Sequence, residues 1–268
     1  MAQGLAVAKV YAFASVDYPG AAQSLVLDSD GTTAVGAFDF DPSNDTGLTA
    51  FTFAGGVYQI LTVPSSIISV ATGINGTGLI VGLYIDLAGA LRGFAINGGT
   101  LSNVDFPGAS QTQVIGVNDA GQMVGGYSDA AGIGRGFVSD GGTFTAIDFP
   151  GATTTSAAGI NAAGDIVGGW SDAAGFHGYL LQAGVFTQID FPLATRTSAV
   201  GINDSGEIAG SYSDAAATEH GFIYAGGAFS TVDVAGARST QLTRIKNEGA
   251  VTGVYSDALN EQHGLTGQ

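Results

Sequence analysis

The sequence predicts an all-β fold built from repeated units, on three observations. Six similar segments follow one another at spacings of 45, 43, 43, 42 and 43 residues, and they start at Asp17, Thr62, Asp105, Asp148, Asp190 and Asp233. A fixed period of this length is typical of repeat architectures. No segment shows a helical period of apolar residues over about 11 positions. Glycine, at 44 of 268 residues, falls at fixed offsets beside β-branched residues, which indicates turns between closely packed strands.

The fourth unit shows how each repeat divides into elements. It begins DFPGATTTSAAGINAAGDIVGGWSD, and the third unit begins with the similar DFPGASQTQVIGVNDAGQMVGGYSD. We predict strands at residues 153–161, 166–172, 176–182 and 185–190. Short strands joined by turns rich in Gly, Asn and Asp predict an antiparallel meander.

The two ends of the chain predict how the units are arranged. A meander of this size cannot bury both of its faces alone, whereas radially packed copies can. The sixth unit ends at residues 263–268, one strand short, and residues 9–16 resemble the missing strand. We therefore predict one domain over residues 1–268, a six-bladed β-propeller of four-stranded antiparallel blades, in which strand 9–16 completes the last blade and removes the open edges.

The repeated motif also resembles a known family. The pattern GIN-x-x-G-x-I-V-G-x-x-S-D-x-x-G-x-x-H-G followed by [IV]DFPGA, clearest over residues 105–232, resembles the HAF-type repeats of bacterial extracellular proteins, many of which carry PEP-CTERM sorting tails. Units one and six depart from it, with LDSDGTTAVG and TRIKNEGAVTG at the GIN segment. The resemblance implies a secreted or periplasmic propeller-like module and no definite activity. The start MAQGLAVAKVYAF lacks the features of a leader, so we expect either a cytoplasmic chain or a mature form.

Composition limits the partners. Seven basic and 23 acidic residues give a net charge of −16, which repels nucleic acid and anionic membranes. No apolar run is long enough to insert into a membrane, and without cysteine there is no disulfide or thiolate metal site. We expect a monomer that binds a small polar ligand or a glycan.

Strand alternation places the polar residues on one face. The DFPGA and SDAAG loops share what we call the loop face, and the ND-x-G and GG turns share the opposite, hairpin face. The SD loops contribute Asp86, Asp129, Asp172, Asp214 and Asp257; the third strands begin with Arg92, Arg135, His177, His220 and His263; the DFP turns contribute Asp17, Asp105, Asp148, Asp190 and Asp233. Propellers bind ligands over the central channel, so we expect the site on the loop face.

The histidines allow two interpretations. Third strands lie two spacings of about 4.8 Å outside the innermost strands, too far from the axis for the three histidines to share a zinc ion. We predict that each His or Arg contacts an Asp of its own or the next unit and fixes a loop. The alternative is a hydrolase or lyase whose acid–base pair is His177 with Asp172 or Asp148, or His220 with Asp214.

Aromatic residues recur directly before the SD loops. They are Phe38, Tyr84, Tyr127, Trp170, Tyr212 and Tyr255. Such a column forms either core or platforms on which sugars stack. The candidate ligand-binding residues are Trp170, Tyr127, Tyr212, Arg135 and Arg92, and the fourth unit, which holds the single Trp, is the one most suited to a distinct role.

The first unit contains an acidic insertion, FDFDPSNDTG. Asp39, Asp41 and Asp45 have the alternating oxygen spacing of a Ca²⁺ loop, but the glycine and distal glutamate of an EF-hand are missing. Calcium is the one cofactor that the sequence suggests, and a solvated loop is the alternative. Three functions stay open: an extracellular binding or scaffold protein, an enzyme, and a calcium-stabilised structural module.

Overall fold

The structure, a computed structural model, describes residues 11–41 and 47–268. Within these ranges the chain forms 24 β-strands and no helix, which confirms the all-β prediction. None of the described residues therefore belongs to a helix that could cross a membrane.

The first five units each consist of four short strands, and the sixth consists of three. Before the first unit lies β1 (Phe13–Val16). The first unit holds β2 (Gln23–Ser29), β3 (Thr33–Asp39), β4 (Thr49–Ala54) and β5 (Val57–Ile60). The second holds β6 (Ser66–Ile74), β7 (Ile80–Asp86), β8 (Leu91–Asn97) and β9 (Thr100–Asn103). The third holds β10 (Gln111–Val117), β11 (Met123–Ser128), β12 (Gly134–Asp140) and β13 (Thr143–Ile147). The fourth holds β14 (Thr154–Ile160), β15 (Ile166–Ser171), β16 (Phe176–Gln182) and β17 (Val185–Ile189). The fifth holds β18 (Arg196–Ile202), β19 (Ile208–Ser213), β20 (Glu219–Ala225) and β21 (Ala228–Val232). The sixth holds β22 (Ser239–Ile245), β23 (Val251–Ser256) and β24 (Gln262–Gly267).

Strand pairing follows chain order within every unit. Neighbouring strands pair antiparallel, as in the β14–β15–β16–β17 meander. In the sixth unit the partner of β24 is β1, with Phe13 opposite Gly267 and Val16 opposite Gly264. The sequence placed this strand at residues 9–16, of which residues 9 and 10 lie outside the described residues. Residues 13–16 therefore belong to the same sheet as the strands of the sixth unit.

Tight turns connect the third and fourth strands. In the second unit Gly98 and Gly99 have φ angles of 55° and 80°, the left-handed pair that a two-residue type I′ hairpin requires. In the fourth unit Ala183 takes the first of these positions at φ 49°, so this turn accepts a side chain at some cost in backbone strain.

The first strands of neighbouring units lie in direct contact. Each first strand carries a β-bulge at the same place, for example between Val114 and Gly116. A Cβ atom added at Gly116 would lie 2.5 Å from the carbonyl oxygen of Ala158 in the next unit. At this position the strands can approach only because glycine has no side chain.

The hydrophobic core is divided among the junctions between units. One cluster combines Val124 and Ile147 of the third unit with Trp170 and Tyr179 of the fourth. Another combines Val16 of β1 with Val26 and other residues of the first unit. Each meander thus buries its apolar side chains against a neighbour, and β1 takes part in the same way.

Candidate functional site

Each third strand of units two to six begins with a cationic or imidazole side chain between two carboxylates. Arg135 Nε lies 2.9 Å from Asp129, and its Nη1 lies 2.7 Å from Asp148. His177 Nδ1 lies 2.8 Å from Asp190, and its Nε2 lies 3.4 Å from Asp172. The same arrangement joins Arg92 to Asp86 and Asp105, His220 to Asp214 and Asp233, and His263 to Asp257 and Asp17. The prediction that each His or Arg contacts an Asp is confirmed.

The SD aspartates also hold their own loops. Asp129 Oδ1 accepts hydrogen bonds from the backbone N–H groups of Ala131 and Ile133, at 2.8 and 2.9 Å. The hydrogen bond from Arg135, followed by these backbone bonds, lowers the pKa of Asp129. The aspartate of the SD motif is thus the capping acceptor of a turn.

The candidate catalytic residues are arranged differently from the expectation. Asp148 contacts Arg135, so pairing it with His177 was wrong; the second carboxylate beside His177 is Asp190. His220 contacts Asp214 as expected, at 3.6 Å, and also Asp233, at 2.8 Å. His177 Nε2 makes no hydrogen bond to a described residue but is buried, and Nδ1 is hydrogen-bonded to Asp190, so neither ring nitrogen is accessible to a substrate.

The aromatic residues before the SD loops are stacked inside the units. The Trp170 ring lies 4.1 Å from that of Phe149 and 4.6 Å from the imidazole of His177, and Trp170 is only 7% exposed. Tyr212 is covered in the same way by Phe191 and His220. With both ring faces covered, Trp170 and Tyr212 cannot act as the sugar-stacking platforms that the sequence suggested.

The loop face carries a cavity of about 170 Å³ where the second, third and fourth units meet. Its polar lining includes Gln111, Gln113, Thr154 and Ser156, and its apolar lining includes Leu91 and Phe176. Two candidates from the sequence, Tyr127 and Arg135, also line it, whereas Arg92, Trp170 and Tyr212 do not. The glutamines were missed because they occupy variable positions directly after the DFPGA loop; that variability among otherwise similar units was the available signal.

Two groups of acidic residues bear on the prediction of a metal site. Asp39 Oδ1 accepts a hydrogen bond from the backbone of Asp41, while Asp45 lies outside the described residues. In the sixth unit Asp257, Glu261 and His263 place ligand atoms within 4.8 Å of one another. Glu261 and His263, but not Asp257, line a cleft of about 640 Å³ between the last and first units.

A buried arginine, which the sequence reading missed, occupies the space between the first strands. Arg244 is 8% exposed. Its guanidinium donates hydrogen bonds to the carbonyl oxygens of Thr72, Ile115 and Val200, which belong to three other units. These three residues are the bulge residues of their strands, whose backbone groups lack ladder partners. Arg244 therefore satisfies polar groups that the repeated bulge leaves open.

The counter-charge of Arg244 comes from the first unit. Asp28 is 2% exposed, lies 3.6 Å from Arg244 Nε and 2.7 Å from Lys246 Nζ, and accepts from the backbone N–H of Ile74. Burial lowers the pKa of Arg244, and Asp28 opposes that shift. Asp28 and Arg244 stand where the other four units have the glycine of GIN, so the departures of units one and six were the sequence signal for this pair.

On the hairpin face, the asparagines of GIN connect the units. Each side-chain amide donates to the next unit's backbone, from Asn75 to Asn118, Asn118 to Asn161, Asn161 to Asn203 and Asn203 to Lys246. They surround a cavity of about 180 Å³. Since these amides are used between units, the asparagine of GIN stabilises the arrangement of the repeats.

Comparisons with known proteins define the fold class. No family model and no curated protein matches the chain. TolB from Acinetobacter baumannii is similar with a TM-score of 0.62 and 10% identity, over 89% of this chain and 64% of TolB, so the chain spans less than two thirds of that protein. A six-bladed β-propeller lectin of Aleuria aurantia with a novel fucose recognition mode is similar with a TM-score of 0.57 and 10% identity, over 91% and 90% of the two chains. The β-propeller domain of the Trilobed protease from Pyrococcus furiosus, which has an open velcro topology, gives 0.53 and 9%, over 91% and 94%. At these identities the likeness shows the fold alone, which is that of a β-propeller.

Proposed function

We propose that this chain is a binding protein for a small polar ligand, a carbohydrate, held on the loop face in the cavity beside Tyr127 and Arg135. The observation that carries the proposal is the lining of that cavity. Gln111, Gln113 and Thr154 line it, and their side chains make no hydrogen bond to any other described residue. Uncharged amide and hydroxyl groups with free bonding capacity are suited to sugar hydroxyls.

The similar fold of a fucose-recognising lectin supports a carbohydrate as the ligand class. The carboxylate-bracketed histidines do not support the enzyme alternative, because three copies of the same closed arrangement occur in successive units. The HAF-type resemblance supports an exported location, which is part of the same proposal.

We further infer that the six units form one closed ring of six blades, with β1 as the fourth strand of the last blade. Three features support this arrangement: β1 pairs with β24, Val16 packs in the core of the first unit, and Gln23 of the first unit lies beside Gln262 of the sixth. A closed ring leaves only short, protected sheet edges.

Saturation-transfer NMR against a panel of monosaccharides and disaccharides tests the proposed function. We expect at least one sugar to give transfer that disappears in Gln113→Leu/Thr154→Val. The matched control is Ser198→Ala, which stands in the fifth unit at the position of Gln113 but outside the cavity, and it should retain the signal. No transfer to any sugar, or equal transfer in the double variant, would contradict the proposal.

A further inference from the structure

The loop-face cavity lies at a position where one unit lacks a side chain that the others have. The residue before each bracketed Arg or His is, from the second to the sixth unit, Leu91, Gly134, Phe176, Glu219 and Gln262. Gly134 is the single glycine among these five. A Cβ atom added there would meet nothing closer than Thr154, at 3.7 Å. The empty space beside Gly134 is therefore large enough for atoms other than its own.

The equivalent side chains at later junctions already have partners. The guanidinium of Arg196 lies 4.8 Å from the ring centre of Phe176. Glu219 forms an ion pair with Arg196 at 3.3 Å and accepts from Gln241. The Phe176–Arg196 contact crosses from the fourth to the fifth unit, and the Glu219–Gln241 contact crosses from the fifth to the sixth. The equivalent space is therefore bridged at those junctions and open at Gly134.

Charge around the cavity favours an uncharged ligand. Arg135 is the single charged residue of the lining, and two carboxylates already contact it, Asp129 at 2.9 Å and Asp148 at 2.7 Å. The three side chains together carry a formal charge of −1. A ligand carboxylate would find no unpaired cation here and would be repelled by Asp148 and by the net charge of −16.

We propose that the chain binds one neutral sugar ring, at the junction of the third and fourth units alone, and that Gly134 admits it. This inference rests on the proposed function and adds the ligand's charge class, the number of sites and the residue that determines access. Leu91 and Phe176 offer apolar surface to the C–H face of the ring. Gln111, Gln113 and Thr154 offer hydrogen bonds to its hydroxyl groups.

Isothermal titration calorimetry with the full chain provides the test. The probes are the methyl pyranosides of glucose, galactose, mannose and fucose, together with glucuronate and galacturonate. We expect a neutral glycoside to bind with a stoichiometry of one and the uronates to bind at least about tenfold more weakly. Gly134→Leu, which copies Leu91 of the second unit, should remove binding. Gln262→Leu, which places leucine at the equivalent position of the sixth unit, should leave binding unchanged.

The outcomes separate the two proposals. A stoichiometry above one, a uronate that binds as tightly as its neutral counterpart, or full affinity in Gly134→Leu overturns this inference while leaving a carbohydrate-binding function in place. Absence of binding to every sugar overturns both. If Gly134→Leu does not fold by circular dichroism, Gln113→Leu replaces it, and a loss of about two- to tenfold in affinity is expected from one missing hydrogen bond.

Discussion

Replacing Arg244 by glycine, the residue of the four regular units, should cost much of the stability of the whole molecule. The guanidinium donates to three carbonyl oxygens on other units. At about 1.5 kcal/mol for each hydrogen bond to a charged group, these bonds contribute roughly 4.5 kcal/mol. Asp28 keeps its contact with Lys246 at 2.7 Å, so the loss comes from the three hydrogen bonds rather than from an unpaired buried carboxylate. We therefore expect Arg244→Gly to lower the free energy of unfolding by about 4 kcal/mol.

Urea unfolding followed by tryptophan fluorescence measures this change, since Trp170 is the single tryptophan and is buried. The matched control is Arg196→Gly, because Arg196 is a half-exposed arginine whose surface ion pair is worth about 0–1 kcal/mol. Guanidinium at millimolar concentration should restore part of the stability of Arg244→Gly, since it can occupy the same carbonyl oxygens. A loss below about 1 kcal/mol, or no rescue, would refute the assigned role of Arg244.

Three further predictions concern the same framework. Val16→Asp buries an unpaired charge where β1 meets the first unit and should lower the free energy of unfolding by about 3 kcal/mol or more. The control Ala14→Asp, at an exposed position of the same strand, should be nearly neutral. Equal urea midpoints for the two variants would contradict the packing of β1. Gly116→Ala places a Cβ 2.5 Å from a backbone oxygen and should cost about 1–3 kcal/mol in thermal unfolding; an unchanged Tm would show that the strands can move apart. The hydrogen bond to Asp233 is the largest cause that raises the pKa of His220. The stabilisation from this pair is therefore complete below the unfolded pKa of about 6.5 and is lost as the pH rises through the raised folded pKa. His220→Arg should flatten the pH dependence of the unfolding free energy between pH 5.5 and 9, and a pH profile identical to that of the unmodified protein would count against this explanation.

Much of the framework could be predicted because each unit repeats the same local signals. The strands of the fourth unit fall within one or two residues of their predicted bounds. The loops could also be predicted, since an Asp at a strand end beside a recurring His or Arg has few other partners.

The cavity and the buried arginine depend on information that the repeated pattern does not contain. From the sequence alone, Gly134 cannot be distinguished from the many glycines in turns, because its role depends on which side chains surround it. Arg244 reads as a surface residue of a degenerate unit, because nothing local shows that its side chain reaches three distant strands. The aromatic positions were ambiguous for the same reason: periodicity gives the position of a ring but not what covers its faces.

The single buried arginine also distinguishes units that are otherwise alike. Similar repeats can undergo domain swapping between two molecules or assemble in the wrong order during folding. Here the sixth unit carries a side chain whose acceptors lie on the second, third and fifth units, and whose counter-ion lies on the first. No other unit carries an arginine at this position. A form in which the units are assembled in another order would bury the charge of Arg244 without these partners and would therefore be less stable.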